Sequence, residues 1–528
     1  MLSSRFCRNG MVVAPHHLAA EAGLAVLRDG GNAAEAAVSV AATLAVVYPH
    51  MNGIGGDSFW LVREAAGGIV GIDACGAAGA QATAAFYAGW DVATIPPRGP
   101  LAANTVSGTI SGWQAVLDIG ARWGGRLPLA RLLTEAIDHA HLGCPIAESL
   151  ADMLEGHGAE LAGVAGFADT FPTGAAARAG ALWRQPRLAA TLQGLVDDGL
   201  DSFYRGAVAE AVAADLAAVG APVGLADLGE CHATEVSPLS LKLSVGKAFN
   251  MPPPTQGAAS LMILGLYDRL RADGDDELAL IHKVVQATTS AYRVRDSAIG
   301  DPSAMTARPA DWLAADALDR RAAGIDVGRV APWGAPEDGG DTVWFGVIDG
   351  AGRAISAIQS VFWEFGSGVV LPKTGILWQN RGSSFHLGGG GPRALQPGRK
   401  PFHTLNPAMA ELGDGRVVVY GTMGGDGQPQ SQAAMLARYA WLGQGAQASV
   451  TAPRWLMGKT WGQETASLKI ESRFAPGTAD RLRALGYAVD EMGAFDSLLG
   501  HAGMLVRHPS GTLEGGSDPR SDGTVATF

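Results

Sequence analysis

The stretch GGDTVWFGVID, from Gly339 to Asp349, decides how this chain is interpreted. Gly-Gly-Asp is typical of an exposed turn, and the β-branched and aromatic residues from Val343 to Ile348 predict a buried strand. Thr342 therefore opens a strand directly after a turn. A chain that cuts itself would carry its nucleophile at such a place. The Thr342 hydroxyl would attack the carbonyl of Asp341, and hydrolysis of the ester would leave Thr342 as a new N-terminus.

An N-terminal threonine supplies both a nucleophile and a base. Its α-amino group has an unperturbed pKa of about 7.7–8.0 and accepts the hydroxyl proton near neutral pH. A threonine at the start of a strand is far more often simple β-propensity than chemistry. The junction alone therefore predicts a strand. A catalytic role for Thr342 has to be inferred from other motifs of the sequence.

Composition and charge restrict the class of protein. The chain has 528 residues, 47% of them hydrophobic, and no linker or internal repeat divides it, so one large core is expected. A net charge of −12 argues against nucleic acid and anionic membranes as partners. The four cysteines are scattered, and no His, Cys or carboxylate spacing is typical of a metal site. We expect neither a metal nor a cofactor.

The N-terminal sequence predicts the compartment. Met1 to Arg8 carries some positive charge, but the apolar run typical of a secretory signal does not follow it. The longest apolar run, Ala36 to Val47, is too short to span a bilayer and predicts a buried helix. These features predict a cytoplasmic protein that is not bound to a membrane.

Hydrophobic periodicity predicts helices mainly before residue 240 and strands mainly after Thr342. The predicted helices are Leu18–Leu27, Ala33–Val47, Pro128–His141, Ala207–Val219, Leu278–Tyr292, Gln430–Leu442 and Pro476–Leu485. The predicted strands are Ser58–Arg63, Ile69–Ala74, Val343–Ile348, Ala354–Val361, Ala408–Glu411, Val417–Tyr420 and Gly503–His508. Alternating blocks of this kind indicate layered α/β packing without choosing one α/β architecture.

Several separate motifs, in order along the chain, resemble the γ-glutamyltransferase family of N-terminal-nucleophile hydrolases. They are Gly10–His16, Gly30–Ala37, Gly53–Asp57, Met251–Pro254, Gly366–Gly368, Gly375–Leu377, Met423–Gly425 and Ser517–Ser521. The resemblance implies a four-layer αββα sandwich, in which two sheets face each other between helix layers. It also implies self-cleavage between Asp341 and Thr342. The products would be a large subunit, residues 1–341, and a small subunit, residues 342–528, that stay associated as one structural unit.

The resemblance assigns three further residues to the chemistry. Ser360 occupies the position of a second hydroxyl that hydrogen-bonds the nucleophile, on a strand paired with that of Thr342. Gly424 and Gly425 match a glycine pair whose N–H groups form an oxyanion hole, where only glycine lets two successive amides converge on one oxygen. A helix beginning near Gln430 would place these amides at its N-terminus. Without the resemblance, Ser360 would be a surface serine and the glycine pair a turn.

The substrate-binding positions depart from the transferase pattern. Cys75 stands where γ-glutamyl enzymes carry an arginine for the substrate α-carboxylate, and Arg381 and Ser384 replace the two carboxylates that bind its α-amino group. An asparagine and a pair of serines are replaced in turn by Phe362, His403 and Thr404. A pocket that binds an ammonium group has become cationic and aromatic, which argues against glutathione as the main substrate.

Arg381 predicts the charge of the substrate. A guanidinium is a planar fork that suits a carboxylate, so a small anionic amide would place its carboxylate there and its carbonyl beside Thr342. The segment Phe385–Lys400 is short and glycine-rich, which predicts a site that is open or covered by another element. A second interpretation makes Arg381 a structural ion pair with Asp73 or Glu364.

The pattern at Thr342 and Arg381 resembles the oxamate amidohydrolase branch of the family. The resemblance implies a cytoplasmic enzyme that converts oxamate to oxalate and ammonia in the breakdown of purine-derived nitrogen. Four alternatives stay open: a γ-glutamyl hydrolase or transferase, a β-lactam side-chain acylase, a hydrolase of an oxalyl-bearing biosynthetic intermediate, and a processed but inert binding protein. The expected partners are the substrate and the two fragments of the chain. A homo-oligomer of the cleaved heterodimer stays open.

Overall fold

Runs of β-branched and aromatic residues form the strands of the computed structural model, which describes residues 2–334, 341–458 and 466–528, and of Asp341 only the backbone. Gly339 and Gly340 of the predicted turn lie outside the described residues. The strands are β1 Arg5–Cys7, β2 Gly10–Ala14, β3 Asp57–Arg63, β4 Ile69–Ala74, β5 Cys144–Pro145, β6 Leu182–Trp183, β7 Thr234–Val236, β8 Leu239–Leu243, β9 Gly246–Asn250, β10 Asp341–Asp349, β11 Ala354–Phe362, β12 Ala408–Leu412, β13 Val417–Thr422, β14 Trp455–Gly458, β15 Ser467–Glu471, β16 Val489–Met492, β17 Ala502–Arg507, β18 Leu513–Ser517 and β19 Thr524–Thr527.

The helices follow the alanine- and leucine-rich periodic segments. They are α1 His17–Arg28, α2 Ala33–Val47, α3 Ala84–Ala88, α4 Thr109–Arg122, α5 Leu129–Leu142, α6 Glu148–Leu161, α7 Phe167–Thr170, α8 Pro186–Asp198, α9 Ser202–Arg205, α10 Ala207–Val219, α11 Leu225–Glu230, α12 Gly257–Leu270, α13 Glu277–Ala298, α14 Pro309–Trp312, α15 Ala315–Ala323, α16 Gln428–Ala440, α17 Ala446–Thr451 and α18 Thr478–Leu485. Within the described ranges, no helix is both long enough and apolar enough to cross a membrane.

The described residues form two seven-stranded sheets. The first has the order β19-β2-β10-β11-β3-β4-β7, and the second has the order β1-β18-β17-β13-β12-β9-β8. The strand that carries Thr342, β10, lies near the middle of the first sheet and pairs antiparallel with β2 and β11. Strand β13, which leads to Gly424, has the corresponding central place in the second sheet.

Three hydrophobic cores show how the layers stack. The first packs α1, α2, α4, α5, α8 and α10 on the outer face of the first sheet. The second packs α12, α13 and α16 on the outer face of the second sheet. The third lies between the sheets, where side chains such as Phe59, Trp344, Met409 and Leu505 meet. Helix, sheet, sheet and helix follow one another, and the predicted αββα sandwich is confirmed.

Helix α2 illustrates how the local sequence fixes an element close to the nucleophile sheet. Asn32 caps its N-terminus by accepting hydrogen bonds from Ala34 N and Glu35 N, while the Glu35 side chain accepts from Asn32 N. Every residue from Ala33 to Val47 is buried. The helix is therefore largely apolar around its whole circumference, because it lies entirely inside the first core.

Candidate active site

Thr342 lies at an irregularity in the pairing of β10 with β11. Asp341 pairs with Phe362, and Val343 pairs with Gln359, so β11 has one extra residue at this point. Thr342 therefore stands opposite Ser360 and Val361. Its side chain is 1% exposed, and Oγ1 makes no hydrogen bond to the residues that the structure describes.

Ser360 stands across from Thr342 on the paired strand, as predicted. Its Oγ accepts a hydrogen bond of 2.7 Å from the amide of Phe362. The described contacts of Thr342 Oγ1 do not include the expected bond to Ser360. On its other side, Ser360 pairs with Asp57, the first residue of β3.

Phe362 ends β11 in a strained conformation. Its φ is 84°, a region that costs an L residue about 1 kcal/mol or more. Its ring lies beneath the Arg381 guanidinium, with the central carbon 3.6 Å from the ring centroid. Phe362 thereby joins the nucleophile strand to the predicted anion site through a cation–π contact.

Gly424 and Gly425 form the turn that links β13 to α16. Both have positive φ, 112° and 47°, which glycine adopts at little cost. Gly427 N donates to Gly424 O at 2.7 Å, and the helix then begins at Gln428, two residues earlier than predicted. The amides thus lie at a helix N-terminus, where an anion is stabilised. Their role as oxyanion donors stays a prediction.

Trp344 packs between β10, the strand of the nucleophile, and β13, the strand that leads to the glycine turn. A side-chain carbon added at Gly421 of β13 would lie 2.2 Å from the Trp344 ring, and one added at Gly503 of β17 would lie 2.4 Å from it. The indole therefore occupies space that only glycine leaves open. This contact fixes the two central strands relative to each other, two residues from Thr342 and three from Gly424.

Gln256 connects the glycine turn to the predicted substrate pocket. Its Nε2 donates to Thr404 O at 2.7 Å and to Gly425 O at 2.9 Å. Its Oε1 accepts from Arg295 at 3.0 Å, and Arg295 also forms a two-bond ion pair with Asp426. One fully buried amide therefore holds both parts of the site in place.

Arg381 is buried, at 1% exposure, in a short 3-10 turn. One N–H donates to Thr404 Oγ1 at 3.2 Å and another makes a long bond of 3.4 Å to Phe402 O. A guanidinium carries five N–H donors, so this leaves donors for another acceptor. Burial lowers the pKa of Arg381 to about 9, although the charges of Asp57 and Cys75 act to raise it.

Asp57, Cys75 and His403 meet beside Arg381. Cys75 Sγ lies 3.0 Å from His403 Nε2, and Asp57 Oδ2 lies 3.3 Å from the same nitrogen. Burial raises the pKa of Asp57 to about 6, although the amides of Gly76 and Gly108 donate to its Oδ1. Burial also raises the pKa of the Cys75 thiol and lowers the pKa of His403 well below its usual value.

Ser384 hydrogen-bonds the main chain of the turn that carries Arg381. Its hydroxyl lies 2.9 Å from the carbonyl of Arg381 and 3.2 Å from that of Phe402. The hydroxyl proton is therefore engaged by the main chain, and Ser384 positions the 3-10 turn. Its predicted contact with substrate stays a prediction.

Asp73 does not form the structural ion pair with Arg381 that the second interpretation of the sequence predicts. Asp73 Oδ2 pairs with Lys400 Nζ at 2.7 Å. No carboxylate in the described part of the chain forms an ion pair with Arg381. Asp57 is the carboxylate whose charge has the largest effect on Arg381, and it raises the pKa of the guanidinium.

Two site residues were not assigned from the sequence. Asp57 closes the Gly53–Asp57 motif, where a carboxylate directly before an apolar strand was the available signal. Gln256 follows the Met251–Pro254 motif and gave no signal, because its partners Thr404 and Gly425 are more than 140 residues away. The predicted substrate-binding residues Phe362, Arg381, Ser384, His403, Thr404 and Cys75 lie in one connected region between β11, the 3-10 turn and residues 403–404.

Known proteins of one family resemble this chain over almost its whole length. The gamma-glutamyltranspeptidase family model matches residues 19–528. The chain is 51% identical over 530 residues to the oxamate amidohydrolase proenzyme of Klebsiella pneumoniae, covering 100% of both chains. It is 37% identical to the glutathione hydrolase-like YwrD proenzyme of Bacillus subtilis, over 98% of each. The solved cephalosporin acylase from Bacillus halodurans aligns with a TM-score of 0.90 at 30% identity, over 100% of this chain and 97% of that chain.

The chain therefore belongs to the gamma-glutamyltranspeptidase family. It is an amidohydrolase of the proenzyme type, and both the predicted family and the predicted fold are confirmed.

Proposed function

We propose that the chain cuts itself before Thr342 and that the new N-terminal threonine hydrolyses a small anionic amide, oxamate first among them. The fragments 1–341 and 342–528 stay together, since β10 pairs with β2 of the large fragment along Gly10–Val13 and with β11 of its own. The observation that carries the proposal is the buried Arg381 guanidinium, stacked on Phe362 and holding donors for an anion.

The reaction uses groups of this chain only. Thr342 Oγ attacks the amide carbon while its α-amino group accepts the hydroxyl proton. The N–H groups of Gly424 and Gly425 donate to the oxyanion. Ammonia leaves with that proton, and water hydrolyses the acyl-threonine ester to release the dicarboxylate. Arg381 holds the carboxylate of the substrate throughout.

Size and charge support oxamate over the alternatives. Thr342, Arg381 and His403 are each at most 1% exposed, which favours a substrate of few atoms. A γ-glutamyl substrate would bring its ammonium group to the cation at Arg381, and that contact is repulsive. The 51% identity to an enzyme named for oxamate supports the same choice. The second candidate is a side-chain acylase, favoured by the TM-score of 0.90 with the cephalosporin acylase.

Mass spectrometry and ammonia release on one preparation test the proposal. We expect two fragments that divide before Thr342, and ammonia from oxamate but not from glutamine. Thr342→Ala should remove both cleavage and turnover, whereas Thr342→Ser keeps a hydroxyl and an amine and should retain cleavage. Thr191→Ala, at a buried threonine bonded to Thr374 O, is the matched control.

Each outcome has a defined meaning. Cleavage without ammonia from oxamate would refute the substrate and favour longer acyl amides, as in the acylases. An intact chain, or turnover by Thr342→Ala, would refute the mechanism. A cytoplasmic location and a role in the breakdown of purine-derived nitrogen stay predictions, which cell fractionation and growth on oxamate as nitrogen source would check.

A further inference from the structure

Three side chains of metal-binding type converge in the core beside Arg381. Asp57, Cys75 and His403 each offer a ligand atom, and these atoms all lie within 4.8 Å of one another. All three residues are at most 4% exposed. Thiolate, imidazole and carboxylate are the ligands that Zn²⁺ binds in proteins. The sequence gave no sign of this cluster, because its members lie far apart along the chain.

Each of the three ligands is held in place by other contacts. Asp57 uses Oδ1 to accept from Gly76 N and Gly108 N, both at 2.9 Å, which leaves Oδ2 directed at His403. The His403 main chain bonds Pro254 O through its N–H and Gln256 N through its carbonyl, each at 2.9 Å. Cys75 follows β4 directly, and its N–H donates to Asp73 Oδ1. The cluster is therefore preorganised.

The spacing of the ligand atoms matches a tetrahedral ion. Zn–S and Zn–N bonds of about 2.3 and 2.0–2.1 Å put neighbouring ligand atoms roughly 3.5 Å apart. Sγ and Nε2 are 3.0 Å apart, and Oδ2 and Nε2 are 3.3 Å apart, so an ion needs only small outward shifts. Asp57 Oδ2 makes no hydrogen bond with the described residues, so the ion would replace only the hydrogen bond between Cys75 Sγ and His403 Nε2.

Binding of a metal at this cluster is coupled to the loss of one proton. A neutral imidazole is the form that binds a metal, and a bound cation replaces the thiol proton, which leaves to solvent.

We propose that Asp57, Cys75 and His403 bind one thiophilic divalent cation of the zinc type. A thiolate and a carboxylate neutralise its two charges, and the fourth position is left for water or a small anion. Magnesium is not expected, because it prefers six oxygen ligands. The site lies next to Arg381, whose pKa responds to the charges of Asp57 and Cys75. It is independent of which amide the enzyme cleaves.

Cobalt(II) provides a test that does not depend on turnover. The full-length protein, first treated with a chelator, is titrated with Co²⁺ and followed by absorption. We expect one equivalent to produce thiolate-to-cobalt charge transfer in the near ultraviolet and visible bands of tetrahedral cobalt. One equivalent of Zn²⁺ should abolish both, and Mg²⁺ should not.

Variants assign the signal to the cluster. Cys75→Ser should lose the charge-transfer band, and His403→Gln should weaken cobalt binding. Cys144→Ser removes a buried free cysteine elsewhere and should keep the full spectrum. Circular dichroism of each variant separates lost binding from lost folding. Absence of the band in the parent protein, or its persistence in folded Cys75→Ser, would overturn the proposal.

Discussion

The glycine turn and the anion pocket lie on either side of Gln256, yet they are built from different parts of the chain. In the proposed function, the turn at Gly424 and Gly425 would act through main-chain N–H groups, whose place depends on backbone angles. The pocket would act through the side chains of Arg381, Cys75 and His403. Backbone geometry serves one reaction on many substrates, whereas side chains are exchanged to change the substrate. The same fold therefore keeps its chemistry while its specificity differs.

The largest expected effect comes from the glycine turn. Gly424→Ala places a side chain at φ 112° and 3.4 Å from Gly500 Cα, so the turn must shift. Loss of one aligned oxyanion donor lowers kcat by roughly 10²–10³. KM for the substrate should stay close to that of the parent enzyme, and steady-state kinetics on oxamate measure both.

The control for this change is Gly443→Ala. Gly443 also has positive φ, 68°, and a side-chain carbon there would meet no atom within 4 Å. It places an alanine at positive φ outside the site and should leave kcat unaltered. Equal losses in the two variants would mean that strain, rather than a lost donor, explains the effect of Gly424→Ala.

The pocket should show the opposite kinetic pattern. Arg381→Met keeps much of the side-chain shape but removes the charge and the donors. A hydrogen bond to a charged group contributes about 1.5–3 kcal/mol, so KM for an anionic amide should rise roughly 10- to 150-fold with kcat largely retained. For Arg381→Met, KM for a neutral amide of similar size should be close to KM for the anionic amide.

Arg438→Met is the matched control for the pocket. Arg438 is equally buried, at 1% exposure, and packs on Trp455 while pairing with Glu277, outside the site. Its loss should lower the thermal unfolding temperature without changing KM. A fall in kcat equal to the rise in KM for Arg381→Met would place Arg381 in the chemical step and contradict the division between turn and pocket.

Gln256 should couple the two regions. Gln256→Glu replaces an N–H₂ group that bonds Thr404 O and Gly425 O with an oxygen that repels both carbonyls. Leaving buried acceptors unsatisfied costs about 1–3 kcal/mol, and we expect kcat and KM to worsen together by a total of roughly 5- to 150-fold. Gln185→Glu, at a buried glutamine bonded to Val46 O, is the control. A change in only one constant would mean that Gln256 supports only one region.

The fold was largely predictable because its signals are local. Ala33–Val47 and Ile69–Ala74 are predicted with the observed bounds, and each begins directly after a polar residue or a glycine, Asn32 and Gly68. Helix α13 was predicted to end at Tyr292 but continues to Ala298. The residues after Tyr292 include several charged ones, yet Arg295, within the helix, is buried and paired with Asp426.

Thr342, Arg381 and the glycine pair could be named because they stand at positions that the family resemblance marks, and their roles stay predictions. Asp57 could not, because a lone carboxylate acquires its role from partners such as His403, which is 346 residues away in sequence. The convergence of Asp57, Cys75 and His403 is a property of the two-sheet packing and not of any sequence spacing.

The smallest expected effect concerns the charge of Asp57. Burial raises the pKa of this carboxyl to about 6, so it is ionised at neutral pH and its negative charge partly offsets Arg381. As pH falls through about 6, Asp57 becomes neutral and Arg381 attracts an anionic substrate more strongly, while a substrate carboxyl with pKa of about 3.5 stays ionised. Removing the charge is worth about 1 kcal/mol, or roughly a fivefold lower KM.

KM rather than kcat has to be measured, because protonation of the Thr342 α-amino group slows turnover in the same direction of pH. Slow chemistry also makes KM approach the dissociation constant of the substrate. Asp57→Asn keeps an oxygen that can accept from Gly76 N and Gly108 N, yet it stays neutral at every pH. Its KM, measured with a chelator present, should be low and independent of pH between about 5 and 8. If KM of the parent enzyme is equally independent of pH, the Asp57 charge does not act on the pocket. Arg381 alone then sets the attraction of the pocket for anions.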